Sequence, residues 1–212
     1  MTSDVAQRLP ASGKSDPTAI DGGHADAARQ LIRHHLSTAE RPVTSSKFGP
    51  ESAVLLHLLV TEMPGIPVIW VDTGHNTRAT LRFVDALTQR LDLNLKTYRP
   101  LDERYEAVPA LDDPRHAEFT RRVKLEPFQR AIVELQPDVW FSALRREQTE
   151  HRAGLQPVEQ SPRGYLKVQP LLGWTAADMH AYLAEYGLPS EPDYFDPTKG
   201  EARRECGLHL TF

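Results

Sequence analysis

Pro42-Val43-Thr44-Ser45-Ser46-Lys47-Phe48-Gly49-Pro50-Glu51-Ser52-Ala53-Val54-Leu55-Leu56-His57-Leu58-Leu59-Val60 is the stretch that decides the fold. Its first four residues, rich in β-branched side chains, read as a short strand. Ser45 to Pro50 is a polar turn with glycine and proline at its end. From Glu51 to Met63 the residues are apolar on most helical faces, which predicts a helix buried nearly all round. Strand, polar loop and buried helix are the first half of a βαβ unit.

The alternation continues downstream. Pro67 to Val71 predicts a second strand, ending at Asp72-Thr73-Gly74, and Arg78 to Leu91 an amphipathic helix. Leu93 to Tyr98 reads as a third strand, and Arg99 to Arg115 as polar and irregular. Pro127 to Leu135 reads as a helix whose proline comes early, where its missing N–H costs least. Val139 to Ala143 is a fourth strand and Tyr165 to Val168 a fifth. Thr175 to Tyr186 is a helix with Thr175 or its neighbour as cap. Upstream, Ala27, Ala28, Leu31, Ile32 and His35 fall at helical spacing and predict a helix over His24 to Leu36. Residues 1–22, rich in Ser, Asp, Pro, Gly and Thr without hydrophobic period, are expected to form a disordered tail. Residues 23–189 are expected to make one α/β domain, and residues 190–212 a Pro-, Asp- and charge-rich C-terminal segment. The expected fold is a doubly wound, mostly parallel sheet with helices on both faces. Ligands of such sheets sit beyond the carboxyl ends of the strands.

Composition narrows the function classes. The 212 residues suffice for one domain with a sizeable core. A formal charge of −4 provides no footprint for nucleic acid or an anionic membrane surface. The longest apolar stretch, Ala53 to Val60, is short and interrupted by His57, so no membrane span is expected. The N-terminus lacks a basic start followed by an apolar run. With a single cysteine, this points to a reducing cytoplasm.

Four runs carry chemistry. At Ser45-Ser46-Lys47-Phe48-Gly49 a strand enters and a helix N-terminus leaves, so hydroxyls, backbone N–H groups and the Lys47 charge can hold phosphate. The run lacks the Gly-x-x-x-x-Gly-Lys pattern of a Walker loop, and a Ser/Gly connection with ordinary caps has the same look. Asp72-Thr73-Gly74 offers a carboxylate that can bond a ribose hydroxyl or cap the next helix. Arg145-Arg146-Glu147-Gln148, with Arg152 beyond, follows the Val139-Trp140-Phe141 strand; guanidinium binds phosphate or sulfate bidentately. Lys124 and Lys167 can extend that positive pocket. The alternative for each is a solvated surface charge. Last comes Arg203-Arg204-Glu205-Cys206-Gly207-Leu208-His209. A thiol with its ordinary pKa near ~8.5 is only slightly ionised at neutral pH, and cations folded around it raise the thiolate fraction. Cys206 with His209 lacks the second cysteine of a usual zinc site, so no metal is expected.

Taken together, Ser45-Ser46-x-Phe48-Gly49, Asp72-Thr73-Gly74, Lys124-x-Glu126-Pro127, Trp140-Phe141-x-x-Leu144-Arg145-Arg146-Glu147-Gln148, Lys167-Val168-x-Pro170-Leu171 with Trp174, and Arg204-Glu205-Cys206-Gly207-Leu208-His209 resemble the 3′-phosphoadenylyl-sulfate (PAPS) reductases of assimilatory sulfate reduction. The resemblance runs from about Arg41 to His209. It implies a doubly wound adenine-nucleotide domain akin to the ATP pyrophosphatases, with a mobile C-terminal segment. It further implies Cys206 as nucleophile with His209 beside it. PAPS would be held by Ser45, Ser46, Lys47, Phe48, Gly49, Asp72, Thr73, Gly74, Lys124, Arg145, Arg146, Arg152, Lys167, Arg203 and Arg204. Attack by Cys206 on the substrate's sulfur would leave an S-sulfocysteine, which thioredoxin or glutaredoxin resolves to sulfite. The family also implies a homodimer and no bound cofactor. Relatives that use the nucleotide without its 3′-phosphate carry four cysteines for an iron–sulfur cluster; one cysteine cannot ligate such a cluster.

Three features depart from the family pattern. Lys47 stands where a small hydroxyl residue is usual. His75-Asn76-Thr77-Arg78 replaces an aromatic with Pro-Glu. A shorter stretch, including Asp193-Tyr194-Phe195-Asp196-Pro197-Thr198-Lys199-Gly200, precedes Cys206. Two further readings therefore stand beside the first: a nucleotide-binding or regulatory protein of this fold without turnover, and a cluster-free adenylyl-sulfate reductase. An adenylyltransferase of the ATP pyrophosphatase type would need a Ser-Gly-Gly-Lys-Asp-like loop, and Phe48-Gly49-Pro50-Glu51 stands in its place.

Overall fold

Strand Pro42–Ser45 (β1) lies inside a six-stranded sheet in the computed structural model, which describes residues 22–102, 107–199 and 211–212. The remaining strands are Pro67–Val71 (β2), Asn94–Tyr98 (β3), Val139–Phe141 (β4), Val158–Gln160 (β5) and Leu166–Val168 (β6). Their spatial order is β3-β2-β1-β4-β6-β5. Every neighbouring pair is parallel except β5 with β6. The helices are Gly22–Leu36 (α1), Ser52–Glu62 (α2), Arg78–Leu91 (α3), His116–Thr120 (α4), Glu126–Leu135 (α5), Glu150–Ala153 (α6) and Ala176–Glu185 (α7).

Strand side chains alternate between two apolar layers, as the pleat requires. Val68, Trp70, Phe141 and Val168 face one layer, built from α1, α2, α3 and α7 through Ile32, Leu55, Leu59, Val84, Leu87, Met179 and Tyr182. Val43, Ile69, Tyr98 and Trp140 face the other, where α5 supplies Phe128, Ala131 and Ile132 and the chain's Phe212 packs on Phe128 at 5.2 Å between ring centroids. Sheet residues buried on both faces account for the continuous apolar runs of β2 and β4. Helix α2 buries Ala53, Val54, Leu55, Leu56, Leu58 and Leu59, matching its nearly all-apolar sequence.

Local signals set the element ends. Thr77 caps α3, its hydroxyl accepting from the Thr80 N–H at 3.0 Å. Thr175 and Asp178 form a reciprocal capping box at α7. Asp92 and Gln136 end α3 and α5 in the left-handed region, each N–H bonding back to a carbonyl of the last turn.

The doubly wound parallel architecture matches the sequence expectation, with additions. Val158–Gln160 is an edge strand that pairs on one side only, and its Val-Glu-Gln sequence has no apolar period. The helix expected to start at Pro127 is preceded by α4 and a π-helical turn, Arg121–Leu125. A 3₁₀ turn, Arg146–Gln148, and the short α6 follow β4. The tail expected over residues 1–22 lies outside the described residues but for Gly22, which begins α1. No helix among the described residues is long and apolar enough to cross a membrane.

Phe48 departs from the sequence expectation. It was expected against the substrate, yet its side chain is fully buried between Trp70 (5.7 Å) and Phe83 (6.5 Å). Its φ of 53° is unfavourable for an aromatic residue, by roughly 1–2 kcal/mol. Burial of the ring outweighs that cost, so Phe48 anchors the loop from beneath. Phe48→Ala is expected to lower unfolding stability by about 3–5 kcal/mol, read as an earlier midpoint in a urea titration.

Candidate functional site

After β1 the chain proceeds outward to β2 and β3; it then returns to the other side of β1 to place β4. The connections leaving β1 and β4 therefore diverge, and a crevice opens beyond their carboxyl ends. A cleft enclosing about 1250 Å³, part of it open to solvent, lies there. The β1–α2 loop provides Ser45, Ser46, Lys47, Pro50, Glu51 and Ser52, the end of β2 provides Thr73 and Asn76, and the end of β4 provides Ser142, Ala143 and Leu144. Ile69, Val71, Leu55, Leu56, Phe128 and Met179 give the cleft an apolar floor. An apolar floor with polar groups along one rim suits a flat aromatic base attached to a charged tail.

The loop is held in shape by its own hydroxyls. Ser45 Oγ accepts the Trp140 indole N–H at 2.9 Å, and Ser46 Oγ accepts the Phe48 N–H at 3.1 Å. Ser52 N–H bonds the Gly49 carbonyl at 3.0 Å, leading into α2, whose first residues border the cleft. Gly49 lets the loop pack closely: a Cβ there would lie 3.0 Å from Lys47 Cε and 3.4 Å from the Tyr194 ring, so the lysine end would have to shift by a few tenths of an ångström. The Lys47 side chain extends into the open cleft, where solvent reaches it although protein surrounds it on most sides. Its ammonium lies 4.7 Å from the centroid of the Tyr194 ring. Burial pushes the Lys47 pKa down to about 8; the charges of Lys199, Lys124 and Arg152 add to this and Asp196 opposes it.

The far wall is the segment from Asp193 to Lys199. Its Asp193 carbonyl accepts the hydroxyls of Thr77 (2.8 Å) and Thr80 (3.3 Å) at the start of α3. Tyr194, Phe195, Asp196, Pro197 and Lys199 line the cleft. Lys124, carried by the π-helical turn, reaches this wall: its Nζ lies 2.6 Å from Asp196 Oδ2 and 3.3 Å from Thr198 Oγ1. The widened turn offsets Lys124 from the register of α5, a use common for π-turns at functional sites. Burial alone would push the Asp196 carboxyl up, but the Lys124 charge and the hydrogen bonds from Lys124 and Thr198 hold it below the usual carboxylate range.

Of the expected substrate-binding residues, Ser45, Ser46, Lys47, Thr73, Lys124 and Arg152 meet around this one cleft. Others have different duties. Asp72 is buried and accepts from Arg99 Nε (2.9 Å), Asn76 Nδ2 (2.8 Å) and the Gly74 N–H (3.2 Å), so it shapes the turn that presents Thr73 and Asn76. Gly74 takes φ 76° in that turn, which glycine adopts without strain. Arg145 is buried away from the cleft surface and bridges Glu51, at 2.5 Å, and Glu147. It ties the start of α2 to the turn after β4. Arg146 is exposed and donates to the Leu155 carbonyl at 3.2 Å. Arg152, buried, bonds Gln148 and borders both the main cleft and a small adjoining cavity that contains Lys167, Glu159, His151 and Gln169. Burial lowers the Lys167 pKa there, with Glu159 opposing.

Arg203, Arg204, Cys206 and His209 lie outside the described residues. The residues expected to bind substrate did not include Glu51, Asn76, Gln148, Tyr194, Asp196 and Lys199, which also line the cleft, although Gln148 and Lys199 stand in runs singled out in the sequence. The charge-rich Asp193-to-Gly200 run was the available signal for three of them. Among the described residues, lining cations Lys47, Lys124, Arg152 and Lys199 face two lining carboxylates, Glu51 and Asp196, the first of which is held by Arg145. The balance favours an anion. Among the described residues no group of three or more His, Cys, Asp or Glu side chains is placed to hold a metal ion.

Comparison with known proteins follows the same lines. The sequence profile of the phosphoadenosine phosphosulfate reductase domain matches residues 41–196. Phosphoadenosine 5′-phosphosulfate reductase of Synechocystis sp. is 44% identical over 198 residues, covering 79% of this chain and 79% of the relative. That of Vibrio parahaemolyticus is 37% identical over 193 residues, covering 78% and 74%. That of Xanthomonas campestris pv. campestris is 34% identical over 241 aligned residues, covering 95% and 98%. Among solved structures, the phosphoadenylyl-sulfate reductase of Candida auris superposes with a TM-score of 0.68 at 22% identity, covering 82% of this chain and 90% of that one. FMN adenylyltransferase of Candida glabrata superposes at 0.64 with 15% identity, covering 85% and 60%, and shares the fold. By the extent of the profile match and the identity to these reductases, this chain belongs to the phosphoadenosine phosphosulfate reductase domain family.

Proposed function

We propose that the protein reduces 3′-phosphoadenylyl sulfate to sulfite and adenosine 3′,5′-bisphosphate, as a step of sulfate assimilation. The observation that carries this reading is the coincidence of two things: similarity to reductases of that name over most of the chain, and a cleft at the sheet's reversal point lined by Lys47, Lys124, Arg152 and Lys199. The adenine lies on the apolar floor formed by Ile69, Val71, Phe128 and Met179. The phosphate and sulfate groups face the cations and the start of α2, whose dipole favours negative charge.

In the first half-reaction the Cys206 thiolate attacks the substrate's sulfur. The sulfur–oxygen bond to the nucleotide phosphate breaks, and the bisphosphate leaves with that bond's electron pair. An S-sulfocysteine remains. Stabilising the extra charge on the departing phosphate is the task of the lining cations. In the second half-reaction an external dithiol, thioredoxin or glutaredoxin, attacks Sγ of Cys206. Sulfite departs, and the second thiol of the donor resolves the mixed disulfide, so the dithiol supplies both electrons. Arg203, Arg204 and His209 flank Cys206 in sequence and support its ionisation. From the family resemblance the working unit is a homodimer.

Cys206→Ser is expected to abolish sulfite release, by at least about a thousandfold, while bisphosphate affinity changes less than about twofold. Incubation with PAPS and no reductant is expected to add SO₃ to Cys206, read by peptide mass spectrometry. Bisphosphate binding without that adduct would instead favour a nucleotide-binding protein without turnover. A matching adduct from adenylyl sulfate would remove the 3′-phosphate requirement.

Lys47 makes a pH prediction. Its lowered pKa, about 8, means that the ammonium loses its proton as pH rises through that value. An anion favours the charged form, so bisphosphate affinity is expected to fall between about pH 7 and pH 9, a range in which phosphate itself stays dianionic. Isothermal titration of Lys47→Ser is expected to show a flat profile over that range and weaker binding at its lower end.

A further inference from the structure

The cationic wall of the cleft carries an anion of its own. Asp196 is buried and Lys124 partly buried, with side-chain exposures of 8% and 12%, and their charged atoms lie 2.6 Å apart on the cleft wall. The carboxylate is held from behind: Thr198 donates its hydroxyl at 2.6 Å and its N–H at 3.0 Å to Asp196 Oδ1. Thr198 is fully buried. Oδ1 therefore anchors the group to its own segment, and Oδ2 is directed at Lys124. Lys47, Lys199 and Arg152 border the same space, and the lining carboxylate Glu51 is held by Arg145. A carboxylate in this position has the charge sign of a ligand phosphate and shares its partner.

We propose that Asp196 is an internal competitor for the phosphate of the bound nucleotide. It holds the Lys124 ammonium until a ligand's anionic oxygen takes it, and it reclaims Lys124 when the ligand leaves. The exchange breaks one lysine–oxygen contact and forms another, and it leaves the buried Asp196 Oδ2 without its cation. It gains in charge only where the incoming group is more negative than a carboxylate, which a phosphate monoester is at neutral pH. Asp196 thereby restrains the affinity for anionic nucleotides, the product bisphosphate included, and spares the neutral part of the ligand. The inference rests on the reading of the cleft as an adenine-nucleotide site.

Asp196→Asn keeps the shape and an acceptor oxygen and removes the charge. Isothermal titration of adenosine 3′,5′-bisphosphate is expected to show binding about tenfold tighter than wild type, whereas uncharged adenosine shifts less than about twofold. The salt dependence of bisphosphate binding is expected to steepen, because Lys124 then meets the ligand with its full charge. Weaker or unchanged bisphosphate binding in a folded Asp196→Asn chain overturns the proposal and makes Asp196 a positioning residue for Lys124. An equal gain for adenosine overturns it too, since charge would not be the cause. If Asp196→Asn fails to fold, Asp196→Ser decides. It removes the charge and keeps a small polar group, and tighter bisphosphate binding with little change for adenosine is again expected; no change or a loss overturns the proposal. Wild-type chain that fails to bind bisphosphate sinks the proposed function and this inference together. Wild-type binding with no gain in the variants sinks this inference alone.

Discussion

Two parallel neighbours whose connections leave in opposite directions cannot fill the space beyond their own ends. This constraint acts between Pro42–Ser45 and Val139–Phe141, and the rest of the site depends on it. The sheet twists and both faces are covered by helices, so the crevice is the place where loop residues reach one another from separate parts of the chain. Ser46 and Lys47 come from one side, Ser142 to Leu144 from the other, and Thr73 from the next strand outward. The core serves this arrangement directly. Phe48 and Trp140 hold the β1 loop from opposite layers, the first by burial of its ring and the second by its indole bond to Ser45.

Charge is divided between structure and site by its partners. Arg145 meets two carboxylates and is spent on joining α2 to the turn after β4. Leaving the buried Arg145 guanidinium without its carboxylates would cost far more than the pairs contribute, which is typical of ions with a structural duty. Lys47 has the opposite character. Its ammonium meets a ring face rather than a carboxylate, and neighbouring cations make its proton easier to lose. Lys124 stands between these cases, paired within the wall yet facing the cleft.

The strands and helices were legible where burial is two-sided or periodic. The runs Pro67 to Val71 and Ser52 to Glu62 are mostly apolar because most of their residues are buried on both sides, and Arg78 to Leu91 shows a clear stripe. The edge strand Val158–Gln160 was not legible, since a strand paired on one side needs no apolar alternation. The π-turn at Arg121–Leu125 was hidden as well, because its sequence is that of an ordinary amphipathic helix. Within the site, Ser45, Ser46, Lys47 and Thr73 were found from a loop at a strand end. Arg145 and Arg146 read as one cationic pair, yet Arg145 is extended, with φ −129° and ψ 139°. Successive side chains on extended backbone diverge. One becomes a buried strut, and the other lies on the surface.

The sequence by itself determined the alternation of strand and helix, the parallel sheet and the family, because these follow from local period and from short motifs that survive translation along the chain. Tertiary structure alone decided which charges face the cleft. That choice depends on partners distant in sequence, such as Glu51 for Arg145 and Asp196 for Lys124, brought within bonding distance by the fold. A charged side chain carries no local mark of the partner that neutralises it, so its duty is settled only when the chain has closed around it.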